Sequence, residues 1–190
     1  MINKRVACRD AEDHHLVARV LSANDTDAFG ELIRRHQSQV RNFLRRLTAD
    51  LPMADDLAQD CFLHAWDKLH TYSGRGSFIG WLLKVAYTTF LQSKRRSNRY
   101  AEILKQAGHV ADAESRSYTR PADEVSDVEK LLAVLPEEER AVMIMSYACG
   151  LSHREISEAT GQPVGTIKSI IFRGKEKIRT DFGIKDYQHG

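Results

Sequence analysis

Between Val164 and Arg179 five basic side chains, Lys168, Arg173, Lys175, Lys177 and Arg179, stand against one acid, Glu176. A second basic run, Lys94, Arg95, Arg96 and Arg99, places four positive charges within six residues. Between them, from Asp112 to Glu129, six acids face two arginines. Separated basic patches are the footprint of two contacts on one polyanion, although either patch alone also fits a solvated helix face. A third group, Asp55, Asp56 and Asp60 with Gln59, lines one side of a helical pattern. Metal-dependent diphosphate chemistry needs an acid where Gln59 stands and a second acidic motif, and neither is present. From the residues alone the acidic face is a solvated helix face or a docking surface for a basic partner. Cys61 and His64 sit three apart, but zinc takes four ligands and only two are local. No Ser-His-Asp or Cys-His arrangement has supporting neighbours, and the Tyr72–Ser77 loop lacks the lysine of a phosphate-binding loop. The expectation is a protein without catalysis, metal or cofactor.

The elements that carry these groups are all helical. The chain has 190 residues, 42% hydrophobic and 28% charged, with a net charge of +2. That permits a folded core and room for two small domains. No strand-like alternation of useful length occurs. No apolar run reaches the roughly 18 residues that a membrane span needs. No apolar stretch follows the basic Met1–Arg5, and the cysteines, Cys8, Cys61 and Cys149, are scattered without a CxxC. These features fit a reducing, cytoplasmic setting.

His14 to Leu21 reads as a short helix ending at Ser22–Asp25. Asp27 caps a long helix with the stripe Phe29, Leu32, Ile33, Val40, Phe43, Leu44 and Leu47. Pro52 opens a third, with Leu57, Ala58, Cys61, Phe62, Ala65, Trp66 and Leu69 on one face. Ser77 caps a fourth through Phe78, Trp81, Leu82, Val85, Ala86, Phe90 and Leu91. From 99 to 124 the apolar pattern fades and the stretch reads as a flexible linker. A second domain begins near Val125 and carries a helix opened by Pro136 and three glutamates, with Gly150 as its C-cap.

Ser152-His153-Arg154-Glu155 has the form of a capping box. Gly161-Gln162-Pro163 then forms a tight turn, and a basic helix starts at Val164 with Ile167 and Ile171 facing inward. Two short helices joined by a glycine turn, the second basic, is the helix-turn-helix arrangement, whose second helix enters the major groove. Its outward residues are Lys168, Ser169, Phe172 and Arg173, with Lys175 and Arg179 nearer phosphates. Phe172 could equally be core.

Here the sequence resembles a known family. LSHREISEATGQPVGTIKSIIFRGKEKIR resembles region 4 of extracytoplasmic-function sigma factors, members of the sigma-70 family, and LPEEERAVMIMSYACGLS the segment before it. DAFGELIRRHQSQVRNFLRRL is similar to region 2.1, and ADDLAQDCFLHAWDKLHTYSGRGSFIGWLLKVAY to regions 2.2 to 2.4. The resemblance implies an all-α protein of two small helical domains. The order is an N-terminal extension and short helix (1–25), region 2 (26–98), a flexible linker (99–124), region 4 (125–183) and a tail (184–190).

It implies an alternative sigma factor that binds core RNA polymerase, directs promoter-specific initiation and is held by an anti-sigma factor until a signal releases it. Region 2 would meet the β′ clamp helices through Asp55, Asp56, Gln59, Asp60, Phe62 and Trp66. It would take the −10 element through Tyr72, Ser73, Arg75, Lys84 and Thr88. Region 4 would meet the β flap and take the −35 element through Thr166, Lys168, Ser169, Phe172, Arg173 and Lys175. Departures are Thr88 where Asn is common, Gln92 where Asp is common, and Ile170 where Arg is frequent. The alternative is a helix-turn-helix regulator that binds DNA without being a polymerase subunit.

Overall fold

The computed structural model of the chain describes residues 4–107 and 126–183. The expected linker, apart from its first residues, and the tail 184–190 lie outside them. Among the described residues every regular element is helical, as the sequence predicts.

The N-terminal half is built from α1 (Lys4–Ala23), α2 (Thr26–Thr48), α3 (Leu51–Lys68), a 3₁₀ turn (Leu69–Thr71) and α4 (Phe78–Gln106). Asp25 caps α2 by accepting from the Ala28 amide at 2.9 Å. Asp27, expected as the cap, sits in the first turn instead, where its charge opposes the helix dipole's positive end. Asp50 caps α3 through the Met53 amide at 2.9 Å, with Pro52 in the first turn. Ser77 caps α4 through the Gly80 amide at 3.2 Å. Leu32, Val40, Phe43, Leu44 and Leu47 of α2 meet Phe78, Leu82, Leu83, Ala86 and Phe90 of α4 in the core. The buried Ala54, Ala58 and Ala65 let α3 lie close against them.

The C-terminal half comprises α5 (Asp127–Ala133), α6 (Glu137–Met143) continued by a π turn (Ile144–Ala148), α7 (His153–Thr160) and α8 (Val164–Asp181). Capping boxes open α5 at Ser126 with Glu129 and α7 at Ser152 with Glu155. Gly150 and Gly161 take left-handed backbone, as expected of residues that follow helix ends. A Cβ on Gly174 would lie 3.1 Å from the Met143 sulfur, so this glycine sets how closely α8 approaches α6.

Two helices outrun their sequence limits. α1 is longer than His14–Leu21, and α4 continues past Arg99 to Gln106. The two halves touch: α7 packs on α4, the π turn packs on α2, and Lys94 of α4 pairs with Glu137 of α6.

Candidate nucleic-acid and partner interfaces

α8 divides cleanly between inside and outside. Ile167, Ile170, Ile171 and Gly174 are buried against the rest of the C-terminal half. Thr166, Lys168, Ser169, Phe172, Arg173 and Lys175 are all exposed. Phe172 is 66% exposed, which removes it from the core. Ile170 is 4% exposed, so it packs inward and its lack of charge opens no gap on the outer face. Lys175 Nζ lies 5.2 Å from the Tyr147 ring centre, a cation–π contact that steadies its stem. Arg173 reaches toward Glu139 at 3.9 Å, a distance loose enough to release it to another anion. Ser169 gives its hydroxyl proton to the Gly165 carbonyl at 3.0 Å.

The second constellation is the loop between the 3₁₀ turn and α4. Gly74 and Gly76 have φ of 71° and 81°, values that a side chain resists, and they let the chain reverse over Ser73–Arg75. Ser73 and Arg75 on the loop and Lys84 on α4 are exposed and share one depression with Trp81. Thr88 is half-buried and donates to the Lys84 carbonyl at 2.8 Å. Tyr72, named in the sequence analysis among the −10 contacts, is buried. It is 7% exposed, because its ring packs edge-on to Phe78 and its hydroxyl is engaged beneath the loop. It lies beneath the loop, where its hydroxyl donates to the Gly76 carbonyl at 3.0 Å.

The far wall of that depression belongs to α7. One Glu155 carboxylate oxygen accepts from the Ser77 hydroxyl and, at 3.3 Å, from the Ser77 amide. The other accepts from the Ser152 amide at 2.9 Å and hydroxyl at 2.7 Å. Burial works to raise this carboxyl, but the bonds from Ser77 and Ser152 outweigh it and hold it below the ordinary glutamate range.

The third constellation is α3. Asp56, Gln59 and Asp60 are exposed, while Asp55 is half-buried and accepts from Arg45 at 3.3 Å. Phe62 and Trp66 are half-buried, and Trp66 meets the edge of Phe29 at 5.0 Å. Between them lies an apolar groove completed by Leu63, which is 67% exposed. Leu63 was not singled out from sequence. Its signal is the spacing Gln59, Phe62, Leu63, Trp66, a second helical stripe beside the buried one.

A buried polar network was also missed. Asp13 is fully buried and its carboxylate lies 2.7 Å from Nε2 of His36, which is 1% exposed. Arg35 joins them, 3.4 Å from Asp13 and 2.8 Å from both Glu12 and Glu31. The neighbouring His14 reaches the loop through Tyr72 at 2.8 Å. Cys61 is buried and Cys149 partly so, and burial pushes their thiols up to about 12 and about 11, which keeps both protonated near neutral pH. His64 bonds Thr89 at 3.0 Å, and among the described residues no group of three or more His, Cys, Asp or Glu side chains is placed to hold a metal ion. Among the described residues, no helix is long and apolar enough to cross a membrane.

Comparison with known proteins gives the family. The pattern described as Sigma-70 region 2 matches residues 32–100, and that described as Sigma-70, region 4 matches residues 126–178. The chain is 30% identical over 178 residues to the RNA polymerase sigma-H factor of Pseudomonas aeruginosa, covering 88% of this chain and 92% of that one. It is 30% identical over 179 residues to the ECF RNA polymerase sigma-E factor of Haemophilus influenzae, covering 87% and 93%. In fold it is similar to the sigma factor RpoE of Bartonella quintana, solved with the anti-sigma factor NepR, with a TM-score of 0.68 at 23% identity over 83% of this chain and 98% of that one. It is likewise similar to CnrH, solved with the cytosolic domain of CnrY, with a TM-score of 0.66 at 22% identity over 92% and 99%. With two sigma-70 regions in order and sigma relatives matched over nearly their whole length, the chain belongs to the extracytoplasmic-function group of the sigma-70 family of RNA polymerase sigma factors.

Proposed function

We propose that this sigma factor reads two promoter elements with two different devices. α8 enters the major groove of the −35 element with Thr166, Lys168, Ser169 and Phe172 toward the bases and Arg173 and Lys175 toward the backbone. The Tyr72–Ser77 loop, with Arg75, Lys84 and Thr88, takes the −10 strand. The observation that carries the reading is the division of α8: four small or apolar residues seat it, and its polar and aromatic face is left free.

Core polymerase docks on α3. The β′ clamp helices fit a surface that pairs the acidic Asp56 and Asp60 with the apolar groove of Phe29, Phe62, Leu63 and Trp66. The C-terminal half takes the β flap. Residues 26–98 and 125–183 serve as the working regions 2 and 4, and the protein acts in the cytoplasm as an initiation factor rather than an enzyme. An anti-sigma factor holds it until a signal arrives, a reading supported by the similar fold of RpoE, solved with the anti-sigma factor NepR.

The test is run-off transcription with core polymerase on a genomic library. Initiation at a defined promoter class is expected, and Asp56→Lys should lose it while the isolated protein stays folded. Unchanged core affinity in Asp56→Lys would remove the docking assignment. A regulator acting without polymerase would bind DNA normally and initiate nothing.

A further inference from the structure

The loop assigned above to the −10 element is shaped from beneath by a residue outside the matched region 2. His14 lies on α1, and its ring stacks on Tyr72 with centres 5.8 Å apart and planes 10° from parallel. Its Nε2 is 2.8 Å from the Tyr72 hydroxyl oxygen, and that hydroxyl is 3.0 Å from the Gly76 carbonyl. A phenol has one proton to give. The Tyr72 proton goes to the Gly76 carbonyl, which cannot donate, so Nε2 must supply the other hydrogen. The chain runs from His14 Nε2–H to Tyr72 O–H to Gly76 C=O. Burial, with Asp10, Asp13 and Glu155 nearby, pushes the phenol up to about 12, so it keeps the proton the chain requires.

Both left-handed glycines of the loop register on this one side chain. Gly76, with φ of 81°, is held through the chain. A Cβ on Gly74, with φ of 71°, would lie 3.9 Å from the His14 ring, so the imidazole fills the floor of the turn. α1 is itself pinned one residue earlier, where buried Asp13 meets His36 of α2. Consecutive residues of α1 thus tie the helical core to the loop.

We propose that His14 is a positioning residue for −10 recognition. It fixes the shape of the Ser73–Gly76 turn through Tyr72 and touches no DNA itself. The inference rests on the loop reading given above.

The experiment reads −10 and −35 preferences from a randomised promoter library, transcribed by core polymerase with the full-length protein and its His14→Gln, His14→Phe and Arg75→Ala variants. Glutamine returns a donor near the Nε2 position, while phenylalanine keeps the ring and removes the donor. His14→Phe should lose roughly tenfold of its discrimination at −10, as expected when a half-buried hydroxyl chain loses its donor. Its −35 preference should not change, and His14→Gln should recover most of the loss. Amide exchange over residues 72–77 should quicken in His14→Phe and not in His14→Gln. If Arg75→Ala alters −10 preference and His14→Phe does not, His14 has no positioning role. A uniform drop across all promoters in His14→Phe, unrelieved by glutamine, also overturns the proposal. If Arg75→Ala leaves −10 preference unchanged, the loop reading falls and takes this inference with it.

Discussion

The two halves of the molecule are stabilised by different kinds of core. Among the described residues, the buried polar side chains Asp13, His36 and Thr89 all belong to the N-terminal half. The buried side chains of the C-terminal half are apolar. The difference follows from what each half must present. α8 is its own scaffold: its backbone bonds are internal, and an apolar stripe is enough to seat it. The Tyr72–Ser77 loop has no such ladder, so its shape has to be imposed from below by directional bonds. A buried hydrogen bond fixes an angle, whereas apolar contact fixes only proximity.

That contrast can be broken in order of expected effect. Ile167→Asn should cost about 4 kcal/mol, from lost packing plus an amide without partners, and should unfold the C-terminal half. Denaturant melts followed by helix content would show it, and a loss under 1 kcal/mol would mean this core tolerates polarity after all. Asp13→Ala should cost about 3 kcal/mol, because it leaves the buried His36 ring without the carboxylate on its Nε2 and opens a cavity beside it. Its effect should appear in the amides of α1, α2 and the loop and spare α8, as hydrogen exchange can resolve.

On the exposed face of α8 the expected changes are in binding and not in stability. Lys168→Ala should cost about 1–3 kcal/mol and relax preference at one −35 position, while Lys175→Ala should weaken all sequences alike and lower the salt slope by about one. An even loss across the library for Lys168→Ala would make it a phosphate contact and rotate the helix in the groove. Phe172→Ala should leave the melting profile within about 0.5 kcal/mol, since the ring is largely exposed. The smallest effect concerns pH. Glu155 is held below its ordinary value of 4.5, so its contribution is complete above that value and fades as pH falls through the lowered one. The Ser77 amide resonance should titrate with a midpoint under 4.5 and stop titrating in Glu155→Gln. A midpoint at or above 4.5 would mean that the bonds from Ser77 and Ser152 do not dominate.

Much of this was legible in the residues. The caps at Ser77 and Ser152, the turn at Gly161 and the inward Ile167 and Ile171 appear where pattern places them. What escaped notice escaped for identifiable reasons. Asp13 stands on the same stripe as Leu16, Val17 and Val20, and a charged residue in that position hides the start of α1. His36 interrupts the α2 stripe between Ile33 and Val40 in the same way. Two polar gaps on neighbouring helices are each a plain exception, and only the fold shows that they fill one another. α4 runs past Arg99 because no glycine or proline stops it before Gly108, even though its apolar pattern has faded. Ile170 belongs to the buried stripe with Ile167 and Ile171, and its spacing from Ile167 marks it as inward. The loop itself is marked by Gly74 and Gly76, but its support beneath is not legible in sequence, since Tyr72 and His14 are 58 positions apart.

The carboxylate of Glu155 serves two helices at once. It completes the start of α7 and it occupies Ser77, the residue that starts α4 beside the loop. The two halves therefore share one acceptor, and any ligand that needs the Ser77 amide or hydroxyl competes with it. Such a ligand binds only the fraction of molecules in which the acceptor has let go, and its apparent affinity falls by that fraction. The competition also runs in reverse: a ligand bound to the loop returns Glu155 wholly to α7. Occupancy of the loop would then be felt at the first turn of α7, the helix that leads into α8.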